Sequence, residues 1–195
     1  MAENLAYLPE LSPVLDESDT SPYYYVYGYE GSNIMEAQTT ENYDIYGVLY
    51  NWEAAKTGCP PRWHLPSDKE WKVLEMYLGM SRSDADKGGD ITTVSVRESG
   101  AVGKKLKCTS GWKEKGGVDG NGDNSSGFTA LPGGTRYGVF FLIGINAFFW
   151  SSSEENVNGM SLAWFRFLGS GIDGDQVGRN HTEKYFGMSV RCLLN

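Results

Sequence analysis

The strongest local signal in the chain is SDKEWKVLEMYLG, residues 67–79. It opens with a capping box, in which the Ser67 hydroxyl accepts a hydrogen bond from the backbone amide of Glu70 while the Glu70 carboxylate reaches back to the amide of Ser67. Apolar side chains then recur at i, i+3 and i+7 from Trp71, and Gly79 is a suitable C-terminal stop. The stretch therefore predicts an amphipathic helix that packs one face on a core.

The sequence before this helix is less regular. Residues 1–45 are acidic and interrupted by prolines, and we expect an N-terminal arm with one edge strand over 23–27, part of the same unit as the rest. The main domain is predicted to span residues 46–195 and to begin with a strand and a short helix over 51–56. Pro60 disfavours helical geometry at Cys59, so this helix is expected to end at the turn over 58–61.

The sequence after residue 79 changes from loops to strands. We expect a polar loop over 81–95, a short helix or turn over 102–106 and a glycine-rich loop over 116–127. Short apolar runs separated by turn residues predict strands over 128–131, 137–143, 148–151, 162–168 and 188–193. This order predicts an α+β fold of two helices against a small antiparallel sheet, with long irregular loops.

The composition suits an aromatic core joined by tight turns, since 6 Trp, 12 Tyr, 8 Phe and 25 Gly occur among 195 residues. A net charge of −8, with no basic run longer than Lys104-Lys105, argues against a nucleic-acid partner. The longest apolar run, residues 139–150, falls short of the about 18 residues that cross a membrane, so we expect buried strand and no membrane insertion. The first residues lack a signal peptide, which predicts an intracellular or phage protein, or a removed leader.

Three cysteines leave at least one thiol unpaired. A bridge between Cys59 and Cys192 would stabilise the fold by about 4–5 kcal/mol in the chain-entropy model, because it closes a long loop. Three buried, reduced thiols are the alternative. A structural zinc site is not expected, because the two histidines are not accompanied by a cysteine cluster.

Six blocks stand in order along nearly the whole chain: AENL (2–5), YGVLYNW (46–52), CPPRWHLPS (59–67), SGFTALPGG (126–134), FWSSSE (149–154) and SVRC (189–192). Together they resemble the Fibrobacter succinogenes major paralogous domain, a family of bacterial and phage surface proteins. The resemblance implies a C-type-lectin-like fold, related to that of formylglycine-generating enzymes. It implies architecture more firmly than activity, because the ligands of the family are largely unknown.

The same resemblance bears on the cysteines and on the start of the chain. The blocks at Cys59 and Cys192 are similar to those of a disulfide in C-type lectins that joins the helix region to the last strand, which favours this pairing. Cys108 stands where small polar residues are common, which favours an unpaired thiol. The family domain usually begins upstream of the first block, so this chain is expected to start late.

A second, narrower resemblance concerns residues 150–192. This segment is similar to the variable regions of proteins diversified by retroelements, which use the fold to display ligand-contacting residues. Framework-like positions such as Trp164, Arg166 and Arg191 alternate there with small, polar and aromatic residues. The resemblance implies a binding surface, for which the candidate residues are Glu155, Asn158, Phe165, Phe167, Asp173, Asp175, Asn180, His181, Glu183 and Tyr185.

Two groups of oxygen-bearing side chains raise the question of a metal. The loop over 119–125 begins like a calcium-binding EF-hand, but Ala130 stands where a bidentate carboxylate is needed, and the same residues favour turns. We therefore expect no cofactor, with calcium as the weaker alternative. The acidic residues and His181 at 173–183 suit either a metal or polar ligand, or ordinary solvated loops. Calcium-dependent sugar binding is not supported, because the Glu-Pro-Asn, Gln-Pro-Asp and Trp-Asn-Asp triplets are missing.

Catalytic signals are weak, and we do not expect an enzyme. Formylglycine-generating enzymes need a reactive cysteine pair late in the chain, and only Cys192 lies there. His64 occupies a framework position, and Ser152 has no nucleophile-elbow context. In the run over 164–167, Trp and Arg share one face of a strand and two Phe share the other. Exposed Trp and Arg are frequent binding anchors, but we favour a core position for Trp164 beside Trp150.

The preferred functional hypothesis is a non-enzymatic receptor-binding or adhesin-like domain on a cell surface or phage particle. Residues 155–185 would present the contact surface to a protein or glycan ligand. The alternatives are a structural assembly subunit and, less favoured, an enzyme on the formylglycine-generating scaffold.

Overall fold

The computed structural model describes residues 3–89, 97–171 and 174–195. Its helices are α1 (Ile34–Gln38), α2 (Glu41–Tyr46), α3 (Trp52–Gly58), α4 (Asp68–Tyr77), α5 (Arg82–Asp86) and α6 (Val102–Leu106). Its strands are β1 (Tyr24–Tyr25), β2 (Leu49–Tyr50), β3 (Trp63–His64), β4 (Gly133–Tyr137), β5 (Val139–Ile143), β6 (Asn146–Val157), β7 (Met160–Gly169), β8 (Gly178–Thr182) and β9 (Leu193–Leu194). This mixture confirms the α+β class.

Helix α4 forms as its sequence predicts. The Ser67 hydroxyl accepts from the amide of Glu70, and the Glu70 carboxylate accepts from the amide of Ser67 at 2.8 Å, which completes the capping box. The indole of Trp71 is buried and donates to the carbonyl of Trp150 on β6. The helix is thereby attached to the central sheet.

The central sheet has the strand order β5-β4-β6-β7-β8. Its neighbours are antiparallel except β4 and β6, which meet in parallel at Gly134 and Ala147. Residues alternate across β6 and β7, so the sheet separates two core clusters. One contains Trp150 and Phe165, and the other contains Phe149 together with Trp71 of α4.

The two ends of the chain meet on this scaffold. The amide of Leu5 donates to the carbonyl of Val190, and the carbonyl of Leu5 accepts from the amide of Val48. Strand β9 pairs with β3, and a disulfide joins Cys59 to Cys192 across a sequence separation of 133 residues. The pairing that the family resemblance favours is therefore present, while Cys108 is a buried free thiol.

The N-terminal region is more ordered than predicted. Residues 1–45 were expected to hold one edge strand, and β1 forms there, but α1 and α2 form as well. The side chain of Asn33 accepts from two backbone amides in the first turn of α1, and the Thr40 hydroxyl accepts from the amide of Tyr43 in α2. Each helix spans less than two turns, so neither produces the apolar periodicity by which longer helices are recognised. For the same reason α5, capped by Ser81, was missed within the predicted loop over 81–95, of which residues 90–95 lie outside the described residues.

Several predicted strands have different limits. The run over 137–143 is a hairpin, because Gly138 turns the chain with φ +64° between β4 and β5. Residues 128–131 form a single bridge, between Ala130 and Lys107, since Thr129 has φ +55°. The run over 188–193 contributes isolated bridges and one residue of β9, while β8 was not predicted at all.

The long apolar run over 139–150 is likewise divided between β5, a turn at Gly144 and the start of β6. Among the residues that the structure describes, no helix has the length and apolar character needed to cross a membrane.

A buried ion network connects α4 to the sheet. The Glu75 carboxylate is fully buried and accepts from the Arg166 side chain of β7 at 2.6 Å and from Arg97 at 3.1 Å. Asp68 accepts from Arg166 and from Arg179 of β8, each at 2.8 Å. Burial alone would raise the pKa of Asp68, but the hydrogen bonds from Arg179 and the charge of Arg166 outweigh it and lower the pKa to about 2. The Asp68 carboxylate therefore stays ionised at neutral pH.

Replacing Glu75 by glutamine should lower the free energy of unfolding by about 3 kcal/mol or more, because the buried Arg97 guanidinium loses the carboxylate with which it pairs and Arg166 keeps only Asp68. Chemical denaturation monitored by circular dichroism measures the loss. The exposed, unpaired residue Glu114 provides the control E114Q, which should change stability by less than about 0.5 kcal/mol. Equal stability of E75Q and E114Q would contradict a structural role for the network.

A second prediction concerns pH and His64. The ring contacts the Asn195 side-chain oxygen and, at 3.0 Å, the Glu70 carboxylate, and these two hydrogen bonds raise the pKa of His64. A raised folded-state pKa means that this contribution is fully present below the unfolded pKa, about 6.5, and is lost as pH rises through the folded value. The stability difference between wild type and H64A should therefore be larger at pH 5.5 than at pH 9. Denaturation curves of both proteins at the two pH values measure it, and a constant difference would exclude the linkage.

Candidate ligand-binding site

A groove of about 430 Å³ lies on the face of the central sheet that points away from α4. Its size and its aromatic lining are typical of ligand sites in proteins. The lining rings that stand on strands of the sheet are Tyr137, Phe141, Phe148, Phe165 and Phe167. The segment after β8 contributes two more, Tyr185 and Phe186.

The floor of the groove is a triplet of phenylalanines. The ring centroids of Phe148 on β6 lie 6.1 Å from Phe165 and 6.2 Å from Phe167, both on β7. Phe165 is buried, whereas Phe148 and Phe167 are partly exposed. Because side chains alternate along β7, Arg166 lies on the face towards α4 and its neighbours Phe165 and Phe167 lie on the face of the groove.

One wall is a stack of three rings. Tyr137 lies 4.7 Å from Phe186 with an interplanar angle of 7°, and 5.9 Å from Tyr185. Burial and then the negative charge of Glu183 raise the pKa of Tyr185 to about 12. The Tyr185 phenol in this wall is thus neutral at physiological pH.

The polar groups of the groove are few. The amide side chain of Asn180 on β8 is buried beside Phe165, its partner across the strand pair. The Glu183 carboxylate accepts from the Thr182 hydroxyl at 2.7 Å. Glu183 is the one carboxylate or cation among the described residues that line the groove.

Gly178 positions one ring of the floor. A Cβ atom at this position would lie 1.7 Å from the Phe167 ring, so the ring rests directly on the glycine backbone. Sequence analysis did not identify Gly178 as a site residue, nor Tyr137, Phe141, Phe148 and Phe186. Gly178 is the partner of Phe167 in the β7–β8 register, a relation that appears only once β8 is known.

The candidate residues from the sequence are divided by the sheet. Phe165, Phe167, Asn180, Glu183 and Tyr185 converge on the groove. The other candidates that the structure describes lie elsewhere, and they are Glu155, Asn158, Asp175 and His181.

Glu155 and His181 lie on the α4 side of the sheet, where the Trp164 indole donates to Glu155 at 3.2 Å and packs edge-on against His181. Asn158 is exposed in the β6–β7 turn with φ +52°, and Asp175 is exposed, its carbonyl accepting from Gly103 of α6. Asp173 lies outside the described residues. The groove therefore involves five of the nine candidates that the structure describes.

Two framework predictions are also resolved. Trp164 is buried, but on the face opposite Trp150, where the Arg179 guanidinium lies 3.7 Å from the indole centroid. The expected core position beside Trp150 is therefore wrong, because β7 alternates and the cross-strand partner of Trp150 is Phe165. Arg191 donates to the carbonyls of Phe128 and Thr129, so its role is structural.

The loop over 119–125 directs its oxygens into local hydrogen bonds. Asp119 accepts from the amide of Asn121, and Asp123 accepts from the amide of Ser125. The Asn124 side-chain oxygen accepts from the amide of Thr129 at 2.8 Å. The contacts of Asp119 and Asp123 are those of Asx turns, which is the interpretation that the sequence favoured over calcium. In the described part of the chain, no group of three or more His, Cys, Asp or Glu side chains is arranged to hold a metal ion.

Comparison with known proteins identifies one relationship. The model of a family described as the Fibrobacter succinogenes major domain matches residues 1–193, so the chain belongs to this family. No curated protein and no solved structure matches the chain.

Replacing Gly178 by alanine should displace the Phe167 ring and lower the free energy of unfolding by about 1–3 kcal/mol, the usual cost of overpacking. In an F167A background the same change should cost far less, because the ring that a Cβ would meet is gone. Denaturation of the two single variants and the double variant measures this coupling. Additive effects would show that the Phe167 ring does not rest on residue 178.

Proposed function

We propose, from its membership of the Fibrobacter succinogenes major domain family and from its aromatic groove, that this protein is a non-enzymatic ligand-binding domain with a C-type-lectin-like architecture. The observation that carries the proposal is the convergence of three phenylalanines on the sheet and three stacked rings beside them on one groove. Aromatic rings provide a large contact area at low entropic cost, which is why they dominate binding surfaces.

In the C-terminal segment, groove-lining residues alternate with residues held in the core, and this arrangement supports a displayed contact surface. Phe165, Phe167, Asn180, Glu183 and Tyr185 belong to the mixed positions of the resemblance to retroelement-diversified proteins, and they line the groove. The framework-like residues of the same segment are instead held in the core or in ion pairs, and they include Trp150, Arg166, Arg179 and Arg191. We therefore include diversification of the groove positions in the proposal.

The proposed place of action is a cell surface or a phage particle. The disulfide between Cys59 and Cys192 supports it, because such bonds persist in oxidising surroundings. Among the described residues that line the groove, the polar side chains are Thr135, Asn146, Asn180, Glu183 and the phenols of Tyr137 and Tyr185, and no Ser, Cys, Lys or His is among them. The Thr135 hydroxyl donates to the carbonyl of Gly187 at 2.8 Å. These contacts favour binding over turnover.

A binding screen of the purified domain against glycan and bacterial-surface protein arrays, run with calcium and with chelator, tests the proposal. We expect binding that is indifferent to chelator and that falls at least tenfold in the variant F167A/Y185A, which removes one ring from the floor and one from the wall. The control is Y77A, since Tyr77 is 87% exposed on α4, away from the groove. Melting temperatures of all variants separate lost contacts from lost folding.

Two results would contradict the proposal. Retention of full affinity by a folded F167A/Y185A protein would exclude the groove as the contact surface. A glycan signal abolished by chelator would instead indicate a calcium site and exclude the proposed mode of binding.

A further inference from the structure

The groove combines aromatic faces with a single negative charge. Its floor and its wall present rings whose faces carry negative electrostatic potential. Glu183, partly exposed beside Tyr185, is the one charged side chain among the described lining residues. An apolar ligand alone would leave this carboxylate without a role in the site.

The surroundings add negative potential. Burial and then the charge of Glu183 raise the pKa of the Tyr185 phenol, whereas Glu17, a smaller contributor, is paired with Arg136 at 3.4 Å. The whole chain carries a net charge of −8. A cation would therefore be attracted towards this end of the groove, and an anion would be repelled.

The nearby basic side chains are engaged in other contacts. The Arg136 guanidinium donates to the carbonyls of Val14 and Asp16 and lies 4.6 Å from the Tyr25 ring centroid. Lys184 forms an ion pair with Glu154 at 3.2 Å and lies over the Trp52 ring. Arg179 is held by Asp68 on the α4 side of the sheet. These contacts keep the three charges away from the groove.

We propose that the groove binds a quaternary ammonium group, with its methyl groups against the Phe148, Phe167 and Tyr137 rings and its charge beside Glu183. Cation–π attraction at partly desolvated rings favours the bound cation, and the carboxylate adds to it. The inference rests on the proposed function, since it names the chemical class of ligand for the same groove.

A methylated ammonium fits this groove better than a primary one. A primary ammonium has three donors that must be satisfied when it leaves water, and a mostly apolar groove with one carboxylate supplies few acceptors. A trimethylammonium group has no donors and is weakly hydrated, so its transfer onto aromatic faces costs less. Selectivity for the methylated cation therefore follows from the scarcity of acceptors.

The test compares choline with its neutral isostere, 3,3-dimethyl-1-butanol, and with ethanolamine, the unmethylated counterpart of choline. Titration calorimetry on the wild-type protein should give a Kd for choline about tenfold lower than that of either competitor. E183Q should weaken choline binding several-fold and leave the isostere unchanged. The matched control E114Q, at an exposed residue distant in sequence from the groove, should alter neither.

Equal affinity for choline and the isostere would overturn the inference, as would absence of choline binding or tighter binding of ethanolamine. These outcomes are distinct from failure of the proposed function. If the groove binds the isostere, or if an array ligand binds the wild-type protein but not F167A/Y185A, the proposed binding function stands. Only the assignment of a quaternary ammonium ligand is then lost.

Discussion

The ion pair between Glu75 and Arg166 fixes which face of β7 carries which side chains. Side chains of a strand alternate, so a shift of one residue in register would move every group to the opposite face. With Arg166 held on the α4 side by a fully buried carboxylate, Phe165 and Phe167 must lie on the other side, where the groove is. Asp68 reinforces this choice by contacting Arg166 and Arg179 together, which fixes β8 as well. The geometry of the groove therefore depends on charges that do not line it.

The sequence carried enough information for the α+β class, for α4 and for the alternation over 164–167. Those features are local: a capping box, an apolar period and a run of large residues. The buried position of Glu75 was not predictable, because its partner Arg97 lies 22 residues away and Arg166 lies 91 residues away. The helices α1, α2 and α5 were missed because side-chain caps, rather than periodicity, define helices of five or six residues.

The candidate site was predicted in part for a related reason. The resemblance indicated a segment that contributes five residues to the groove, but without β8 the alternation of Asn180 and His181 was unknown, so residues from both faces were grouped together. Tyr137 and Phe186 form the closest ring stack of the wall, yet they are 49 residues apart and lie in different parts of the fold. Only tertiary structure brings them together. Under the proposed function, ion pairs and the disulfide hold the framework, and the side chains that line the groove can be substituted without breaking those contacts.

The meeting of the two chain ends has a consequence for how the protein is made. Asn4 contacts Ser189 and Arg191, at sequence separations of 185 and 187 residues, and Leu5 pairs with Val190. Contacts between such distant residues slow folding, because a long loop must close before any of them stabilises the chain. During synthesis, Asn4 and Leu5 lack these partners until residues 189–192 have left the ribosome. Completion of the domain is therefore a late event, and exposed aromatic surface must be tolerated or shielded until then.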